Sequence, residues 1–253
     1  MTENAHMAET TIIVPTYNEK ENLPRLVAEL LRLEIRPNIT IIDDNSPDGT
    51  GALADELSRQ HPELSVLHRS GKLGLGTAYV AGFKHALAHD ADRIVTMDAD
   101  FSHNPRYVPG LVALCDRYDV AIGSRYTPGG GIDANWGAHR KLLSWGANRF
   151  ARTLLGLRAS DCTAGFRCYH SYVLRSIPLD SIRSNGYSFL VEMLYLCQSQ
   201  AYTVGETPIL FEDRRAGTSK ISQVEIFKGL QTVLRLGARR LLVAPPAAPR
   251  PTK

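Results

Sequence analysis

The sequence has few cysteines and lacks long apolar runs, and these absences exclude several classes of protein. Its four cysteines show no C-x-x-C spacing, so neither a zinc site nor a disulfide framework is indicated. No apolar run approaches the roughly 18–20 residues of a membrane-spanning helix. The N-terminal stretch MTENAHMAET also lacks the charged-then-apolar pattern of a signal peptide. We therefore expect reduced thiols, a cytoplasmic location and no transmembrane segment.

The common glycine motifs of nucleotide-binding proteins are missing as well. No P-loop pattern occurs, and the stretch GKLGLGTAYVAG has Tyr79 where a dinucleotide fingerprint needs glycine. The stretch follows Arg69 and Ser70 rather than the end of a strand. Hydride transfer is therefore not predicted, and a flexible turn that caps the next helix remains an alternative interpretation of these glycines.

The composition is typical of one large α/β domain or two small ones, since 43% of the 253 residues are apolar and 22% are charged. Short apolar runs alternate with helical patterns in the first half of the chain. This alternation predicts parallel β-α-β units with right-handed crossovers. The predicted strands span 10–15, 38–43, 65–68, 93–97 and 119–124, and helices are predicted over 19–33 and from residues 48, 75 and 105.

The second half of the chain has a different pattern. A glycine-rich loop over 126–137 precedes a predicted helix over 139–155. Further along, the pattern predicts a helix near 187–198, a strand over 202–211 and a last helix over 222–242. The predicted fold class is therefore α/β and Rossmann-like, with a mainly parallel central sheet flanked by helices.

The stretch RIVTMDADFSH ends an apolar strand on two aspartates two positions apart, Asp98 and Asp100. If the chain is still extended there, the two side chains share a face at a separation of roughly 6–7 Å. Two unit charges at that separation repel by about 2–3 kcal/mol at an effective dielectric constant near 20. Water, a basic neighbour or a cation must offset this repulsion. The simplest alternative is a solvated turn, which aspartate favours.

Charged residues gather at the predicted carboxyl ends of the strands, where ligands bind in parallel sheets. Asp44 follows the second strand, the aspartate pair follows the fourth and Arg125 follows the fifth. Carboxylates in such positions hold Mg²⁺ together with substrate phosphates and water. Four basic residues suit phosphate oxygens, although each alone could be a solvated surface residue: Arg125, Arg140, Arg214 and Lys220. Together these residues predict a metal-dependent enzyme that acts on a nucleotide phosphate ester.

Nine blocks of sequence follow one another from Thr10 to about Leu242. They are VPTYNE (14–19), IIDDNSPDGT (41–50), GKLGLGTAY (71–79), MDADFSH (97–103), GSRY (123–126), a W…R…S…N segment (136–148), DCTAGFRCY (161–169), NGYSFLVEM (185–193) and DRRAGTSK (213–220). In order and spacing they resemble the polyprenol-phosphate mannose synthases, which include the dolichol-phosphate mannosyltransferases. That family lies within the inverting glycosyltransferases of family 2, which have the A-type (GT-A) fold.

The resemblance implies transfer of mannose from GDP-mannose to a polyprenyl (dolichyl-type) monophosphate. The products would be polyprenyl-phosphate β-mannose, with inverted configuration, and GDP. Mg²⁺ or Mn²⁺ is implied as the cofactor, because a divalent cation neutralises charge on the departing GDP. The acceptor is already an ionised phosphate, so positioning and electrostatics would carry most of the rate without a strong general base.

The resemblance also implies site residues, position by position. The implied catalytic residues are Asp98, Asp100, Arg125 and Arg140. The implied donor-binding residues are Pro15, Tyr17, Glu19, Ile42, Asp44, Asp98, Ala99, Asp100, Arg125, Arg214 and Lys220, the last two from a mobile loop over the donor. Asp100 and Asp98 are the implied metal ligands. Ser102 is a further candidate, since it stands where some relatives have a Gln ligand.

One catalytic domain with two halves is expected. The expected segments are a flexible N-terminus at 1–9, a single GT-A domain at 10–220, an amphipathic helix at 221–242 and a disordered Pro-rich tail at 243–253. Within the domain, the nucleotide-binding half covers residues 10–125 and the acceptor half covers residues 126–220.

The last helix combines an apolar stripe with neighbouring basic residues. The stripe is Ile226, Leu230, Val233, Leu234, Gly237 and Leu241, and the basic residues are Lys228, Arg235, Arg239 and Arg240. Such a helix can lie in a membrane interface, but docking on the catalytic domain explains the pattern equally well. We expect peripheral association with the cytoplasmic face of a membrane, through this helix, a membrane-protein partner or the lipid acceptor. No nucleic acid partner is expected.

Three alternatives remain open. A UDP-sugar enzyme that makes a lipid such as polyprenyl-phosphate glucose would share the fold, but such relatives usually carry C-terminal membrane helices. A nucleotidyltransferase would need a glycine-rich loop directly after the first strand, where this chain reads PTYNEKENL. A non-catalytic regulatory subunit of the same fold would be indicated by loss of Asp100, Arg214 or Lys220, and all three are present.

Overall fold

The computed structural model describes residues 9–133, 137–212 and 223–242, without the side chains at 140, 223–226 and 241–242. The predicted tail at 243–253 lies outside these residues, as do Arg214, Lys220 and, apart from Glu9, the predicted flexible N-terminus.

The centre of the described molecule is a seven-stranded sheet. Its strands are β1 (Thr10–Thr16), β2 (Asn38–Asp43), β3 (Leu64–His68), β4 (Arg93–Thr96), β5 (Val120–Ser124), β7 (Arg167–His170) and β8 (Val204–Pro208), whereas β6 (Gly131–Ile132) and β9 (Leu210–Phe211) form a separate parallel pair. The order in the large sheet is β3-β2-β1-β4-β7-β5-β8. Every neighbouring pair is parallel except the two that contain β7. The predicted mainly parallel sheet is thus confirmed.

Of the helices in the described residues, all but the one at Ser171–Ser176, which was not predicted, lie close to the predicted positions. The helices are α1 (Leu23–Leu31), α2 (Thr50–Gln60), α3 (Leu75–Ala88), α4 (Val108–Leu114), α5 (Ala138–Leu155), α6 (Ser171–Ser176), α7 (Tyr187–Ser199) and α8 (Gln223–Leu242). The first helix was predicted to start at residue 19 but starts at Leu23, with Pro24 in its first turn. Proline suits that position because its missing N–H has no partner in a first turn anyway.

Two apolar cores lie on opposite faces of the sheet. On one face, Ile13 and Ile42 pack with Tyr79 and Phe83 of α3 and Phe189 of α7. On the other face, α1 and α4 contribute buried leucines and valines that pack against alternate strand residues, namely Leu23, Leu26, Val27, Leu30, Val108, Leu111 and Val112. Burial of both faces explains why the strands are continuous apolar runs rather than alternating ones.

Strand β7 was not predicted from the sequence. It lies antiparallel between β4 and β5 and therefore separates the fourth and fifth predicted strands. Its sequence, RCYH, begins with the fully buried Arg167. This charged residue interrupts the apolar run by which a buried strand is predicted. The guanidinium of Arg167 donates to the carbonyl oxygens of Ala164, Leu190 and Cys162, which replace the water it loses on burial.

The predicted strand at 202–211 is two strands in the structure. β8 ends at Pro208, and β9 begins two residues later and pairs with β6 instead of the large sheet. Proline has no N–H to donate to a ladder, which accounts for the break at this position. The buried Ile209 lies between the two strands, and its N–H donates to the carbonyl of Ser124.

Gly82 allows α3 to lie close against the sheet. A Cβ at Gly82 would come within 2.5 Å of Ile42 Cδ1 and 2.6 Å of Ile13 Cγ2. We expect Gly82→Ala to lower the free energy of unfolding by about 1–3 kcal/mol, because overpacking of the core outweighs the better helix propensity of alanine. Urea denaturation measures this difference.

Gly110 of α4 provides the matched control for this substitution. It is exposed, and a Cβ there would meet no atom within 4 Å. Gly110→Ala should therefore be neutral or stabilise the protein by up to about 1 kcal/mol. Equal effects of the two substitutions would contradict the close packing of α3 on β1 and β2.

Candidate active site

The order of strands creates a crevice at the carboxyl ends of β1 and β4. Strand β2, which follows β1 in the chain, pairs with one edge of β1, whereas β4 pairs with its other edge. A reversal of this kind is the usual ligand site of an open parallel sheet. The predicted site residues on the ends of β1, β2 and β4 therefore lie around one crevice.

The aspartate pair adopts a bent conformation. β4 ends at Thr96, the chain bends at residues 99 and 100, and Phe101 has a positive φ of 65°. The extended geometry considered above, with both carboxylates on one face, therefore does not occur. Their environments differ: the Asp98 side chain is 31% exposed, whereas Asp100 is 2% exposed.

The carboxylate of Asp100 is oriented by Ser102. Its Oδ1 accepts hydrogen bonds from the Ser102 backbone N–H at 3.1 Å and from the Ser102 hydroxyl at 2.6 Å. Ser102 is itself 1% exposed. The hydroxyl thus supports Asp100 in this structure, and direct contact of Ser102 with a metal stays a prediction.

Two residues that the sequence reasoning missed hold Asp98. The hydroxyl of Tyr79 donates to Asp98 Oδ1 at 3.3 Å. Burial raises the pKa of Tyr79 well above its ordinary value, and the charge of Asp98 raises it further, so Tyr79 stays a donor. The backbone N–H of Asp98 donates to Nδ1 of His103 at 2.9 Å. That nitrogen therefore carries no proton, so the 3.8 Å approach of Asp98 Oδ2 to it is not an ion pair.

Arg125 forms a two-pronged, buried ion pair with Asp161. Its Nε and Nη2 donate to the two carboxylate oxygens at 2.7 Å each, and Nη2 also donates to the Thr163 hydroxyl at 2.8 Å. Burial disfavours the charged form of both groups. The pairing nevertheless holds the pKa of Asp161 below and that of Arg125 above its ordinary value. Asp161 is a functional candidate that the sequence reasoning missed, although it begins the block DCTAGFRCY.

The loop that carries Asp161 is fixed from two sides. Glu206 of β8 accepts the backbone N–H groups of Ser160 and Asp161 at 2.7 and 3.0 Å. Asn148 of α5 accepts the N–H of Cys162 at 2.7 Å and donates to the Thr163 hydroxyl at 3.1 Å. Arg125 is therefore held by a preorganised loop.

Asp44, directly after β2, is paired with Arg69. The distance from Arg69 Nη1 to Asp44 Oδ1 is 2.5 Å, and each side chain is 9% exposed. Burial raises the pKa of Asp44, while the charge and hydrogen bond of Arg69 oppose that rise. Arg69 also donates to the hydroxyl of Thr77 in α3. It is a further residue that the sequence reasoning did not select.

The other predicted donor contacts have varied surroundings. The ring of Tyr17 is half-buried, with the Lys72 ammonium 3.9 Å from its centroid. Glu19 accepts from the side-chain amide of Asn22 at 2.8 Å. Pro15 is the β1 partner of Ile42, whose side chain is fully buried beneath α3. Only the backbone at Ile42 is therefore placed to meet a ligand, and contact there stays a prediction.

Three of the predicted site residues receive no side-chain geometry. Arg140 lies in the first turn of α5, but its side chain is outside the description, and Arg214 and Lys220 lie wholly outside it. Ala99, between the two aspartates, is 3% exposed. The predicted roles of these four residues stay predictions.

The carboxylates present suit a cation that also binds substrate. Within the described residues, no three His, Cys, Asp or Glu side chains are grouped to hold a metal. A protein cage is therefore not formed there, but Mg²⁺ characteristically binds one or two carboxylates and takes its remaining ligands from phosphates and water. Asp98 and Asp100, just after the end of β4, fit that donor set.

A family model described as glycosyl transferase family 2 matches residues 11–177, well over half of the chain. The chain belongs to glycosyl transferase family 2. It is 43% identical to the polyprenol monophosphomannose synthase of Mycolicibacterium smegmatis over 91% of this chain and 87% of that protein. It is 42% identical to the undecaprenyl-phosphate mannosyltransferase of Micrococcus luteus over 89% of this chain and 92% of that protein. The resemblance stated from the sequence blocks is confirmed.

The fold of this family 2 glycosyltransferase also matches solved structures. A crystal structure of glucosyl-3-phosphoglycerate synthase from Mycobacterium tuberculosis, with Mn²⁺, UDP and phosphoglyceric acid, gives a TM-score of 0.63. The match has 15% identity and covers 91% of this chain and 78% of that one. At this identity the likeness concerns the fold alone, and it confirms the predicted GT-A architecture. The chain is a glycosyltransferase.

Proposed function

We propose that this glycosyltransferase transfers mannose from GDP-mannose to a polyprenyl monophosphate with inversion, giving polyprenyl-phosphate β-mannose and GDP. The observation that carries the proposal is the identity above 40%, over about nine-tenths of the chain, to two proteins named for mannose transfer to polyprenol or undecaprenyl phosphate. The paired aspartates at the crevice support a nucleotide-sugar site.

In this proposal the donor diphosphate lies beside Asp98 and Asp100. A divalent cation, Mg²⁺ or Mn²⁺, would be held by these carboxylates and would act as a Lewis acid toward the leaving diphosphate. Mn²⁺ is present in the solved structure of the fold relative named above. The protein's own contribution is orientation: Ser102 fixes the carboxylate of Asp100, and Tyr79 fixes that of Asp98.

Arg125 is proposed to meet a phosphate through one nitrogen. Its Nε and Nη2 are used by Asp161 and Thr163. Among the described residues, Nη1 has no hydrogen-bond partner, so it is the atom available to a phosphate oxygen. Asp161 balances the positive charge of Arg125. Arg125 would therefore help to bind a phosphate chiefly through a fixed hydrogen-bond donor, and less through net charge. Arg140, on α5, is proposed to supply charge to the acceptor phosphate.

A cavity beside α5 supports an acceptor that is both anionic and apolar. Its volume is about 160 Å³. The lining residues are Tyr126, Trp145, Asn148, Arg149, Arg152 and Ser160. Two guanidinium groups beside two aromatic rings suit a phosphate attached to a hydrocarbon chain.

The test is transfer of labelled sugar to a polyprenyl phosphate by purified protein in detergent with Mg²⁺. GDP-mannose and UDP-glucose are compared as donors in parallel reactions. We expect metal-dependent transfer from GDP-mannose. Transfer from UDP-glucose alone would keep the family and overturn the proposed donor, and no transfer from either, even with membranes added, would favour a regulatory subunit.

We further propose that the protein associates peripherally with a membrane through α5 and α8. In the described residues, no helix is long and apolar enough to cross a bilayer. Val233 and Leu236 of α8 are buried, so this helix packs against the catalytic domain. Docking on the domain was one of the two interpretations of its apolar stripe. The same two helices expose large apolar side chains: Leu142, Leu143, Trp145 and Phe150 of α5, and Phe227, Leu230 and Leu234 of α8. These seven residues form the proposed membrane-facing surface.

Charged substitutions on this surface test membrane association. We expect Leu230→Glu/Leu234→Glu to lower binding to phosphatidylglycerol-containing vesicles by at least about tenfold, because two leucines lose their transfer energy and two negative charges are added. Vesicle sedimentation measures the bound fraction. Ala52→Glu/Gln60→Glu, which adds the same charge on exposed positions of α2, should bind as the wild type does. Equal binding by both double variants would contradict the surface.

A further inference from the structure

An ion pair between Arg235 and Glu192 joins α8 to α7. Nη2 of Arg235 donates to both carboxylate oxygens of Glu192 at 3.0 Å. The same nitrogen donates to the Ser184 hydroxyl at 3.2 Å. The Glu192 side chain is 8% exposed, whereas that of Arg235 is 40% exposed. The pair therefore brings a charge from the outer part of α8 to a nearly buried carboxylate.

Glu192 also holds the segment that precedes α7. Its Oε2 accepts the backbone N–H of Ser184 at 3.1 Å and accepts the Ser184 hydroxyl as well. Ser184 is 9% exposed, and its hydroxyl lies 3.3 Å from that of Thr232 in α8. Ser184 thus has contacts to both helices through its backbone and its side chain. A change at Arg235 therefore alters the contacts of Ser184 directly.

Asn185, the next residue, contacts the glycine-rich loop before α3. Its Oδ1 accepts the N–H of Gly76 at 2.9 Å, and its Nδ2 donates to the carbonyl of Leu73 at 3.0 Å. The packing is close, since a Cβ at Gly74 would come within 2.1 Å of Asn185 Nδ2. A Cβ at Gly76 would come within 3.0 Å of the Ser184 carbonyl oxygen. The loop therefore has little room to move independently of the segment before α7.

The glycine-rich loop and α3 in turn contact two side chains that hold predicted donor-site carboxylates. Arg69, the partner of Asp44, donates to a carbonyl of the loop at 3.5 Å. Tyr79 of α3 donates to Asp98 at 3.3 Å, and its ring is stacked 5.9 Å from that of Phe189 in α7. A continuous series of contacts therefore runs from α8 through α7 to the crevice, which is the physical requirement for coupling between them.

We propose that Arg235 is a positioning residue for the donor site and acts through Glu192 and Asn185 on the glycine-rich loop. In this role Arg235 does not itself contact the donor. Its ion pair holds the loop in the conformation that orients Asp44 and Asp98, so less ordering is needed when the donor binds. The inference rests on the proposed function only in placing the donor nucleotide at the crevice. It is independent of which base and sugar the donor carries.

The simplest alternative is that the ion pair only docks α8 on the domain. Docking has other support, however, because Val233 and Leu236 are buried and Arg240 donates to the carbonyl of Leu154 at 3.1 Å. A partly exposed ion pair adds little stability to such an interface. The two roles differ in their consequence for nucleotide binding, which only a positioning role of Arg235 would change.

The test is equilibrium binding of free GDP and UDP, each with Mg²⁺, by titration calorimetry. It is run at a temperature at which circular dichroism shows every variant to be folded, and variants are compared with the nucleotide that the wild type binds more tightly. We expect Arg235→Gln to raise the dissociation constant about 5–10-fold. Arg235→Lys should stay within about twofold of the wild type, because one nitrogen makes all three contacts and an ammonium can replace it.

Two further variants examine the route of this effect. Arg239→Gln removes the same charge from another exposed position of α8 and should bind nucleotide as the wild type does. Glu192→Gln should weaken binding by about the same factor as Arg235→Gln. The double variant should bind no more weakly than either single one, because both changes break the same contact. Additive losses in the double variant would overturn the route through Glu192.

Steady-state kinetics separate positioning from general damage. We expect Arg235→Gln to raise the KM for the donor by about the same factor as the dissociation constant, with kcat within about twofold of the wild type. Saturating donor would order the loop in the variant too, so only binding is weakened. A lower kcat with an unchanged KM would contradict the proposed role of Arg235.

The outcomes distinguish this inference from the proposed function. Equal dissociation constants for Arg235→Gln and Arg239→Gln would show that Arg235 only docks α8, and would leave the proposed function unaffected. Tighter binding of UDP than GDP by the wild type would overturn the proposed donor, whereas a weakened Arg235→Gln would still support the positioning role. Binding of neither nucleotide by the wild type would overturn both.

Discussion

Replacing Asp100 by asparagine is expected to lower the turnover of mannose transfer by about 10²–10³-fold while leaving the protein folded. Asparagine has the same shape, and its carbonyl oxygen can still accept hydrogen bonds from the N–H and hydroxyl of Ser102. It lacks the negative charge that Asp100 would contribute to the proposed divalent cation. The measurement is kcat with saturating GDP-mannose and lipid phosphate over a range of Mg²⁺ concentrations.

Asp116→Asn is the matched control for this loss. Asp116 is also an aspartate, and it pairs with Arg93 at the start of β4, but its side chain is 58% exposed and it lies just after α4. Its replacement should leave kcat within about twofold of the wild type, because surface ion pairs contribute little. If Asp100→Asn retained more than half of the wild-type turnover, a metal-binding role for Asp100 would have to be abandoned.

The sequence predicted the elements whose signals are local. The continuous apolar runs of β1 to β5 and the helical spacing of Leu23, Leu26, Val27 and Leu30 depend only on neighbours along the chain, and the structure places both as expected. The aspartates that follow the strands could also be predicted to lie at one edge of the sheet, because parallel strands bring their carboxyl ends to the same edge. These local signals were enough to predict a parallel sheet and the position of its crevice.

Features that depend on distant partners could not be predicted in the same way. β7 is short and carries a buried arginine, and only its place between β4 and β5 makes it a strand. Arg125 was selected as a phosphate ligand, but its partner Asp161 lies 36 residues further along the chain. Arg69 and Asp44, which pair in the structure, are likewise far apart in the sequence, with a separation of 25 residues. The periodicity of the sequence does not predict which charged residues pair after folding, because the pairing depends on the order of the strands in the sheet.

The buried pair of Arg125 and Asp161 leads to the second large effect. Asp161 is fully buried and the Arg125 side chain is 8% exposed, so the two charges have almost no water to compensate them. Removing one partner leaves a buried, unpaired charge. We expect Asp161→Ala to lower the free energy of unfolding by about 3–5 kcal/mol, measured by urea denaturation at pH 7. Asp180→Ala, which breaks the exposed pair with Lys84, should change it by less than about 1 kcal/mol.

The pH dependence of this loss follows from the direction of the pKa shift. Burial alone would raise the pKa of Asp161, but Arg125 and its hydrogen bonds hold it below the ordinary value. The stabilisation is therefore fully present above the unfolded-state pKa of about 3.9 and is lost as the pH falls through the lower folded-state value. The difference between wild type and Asp161→Ala should stay constant from about pH 7 to 5 and shrink below about pH 4. A difference that did not change on acidification would mean that Asp161 supports the loop by shape alone, with Arg125 stabilised by other groups.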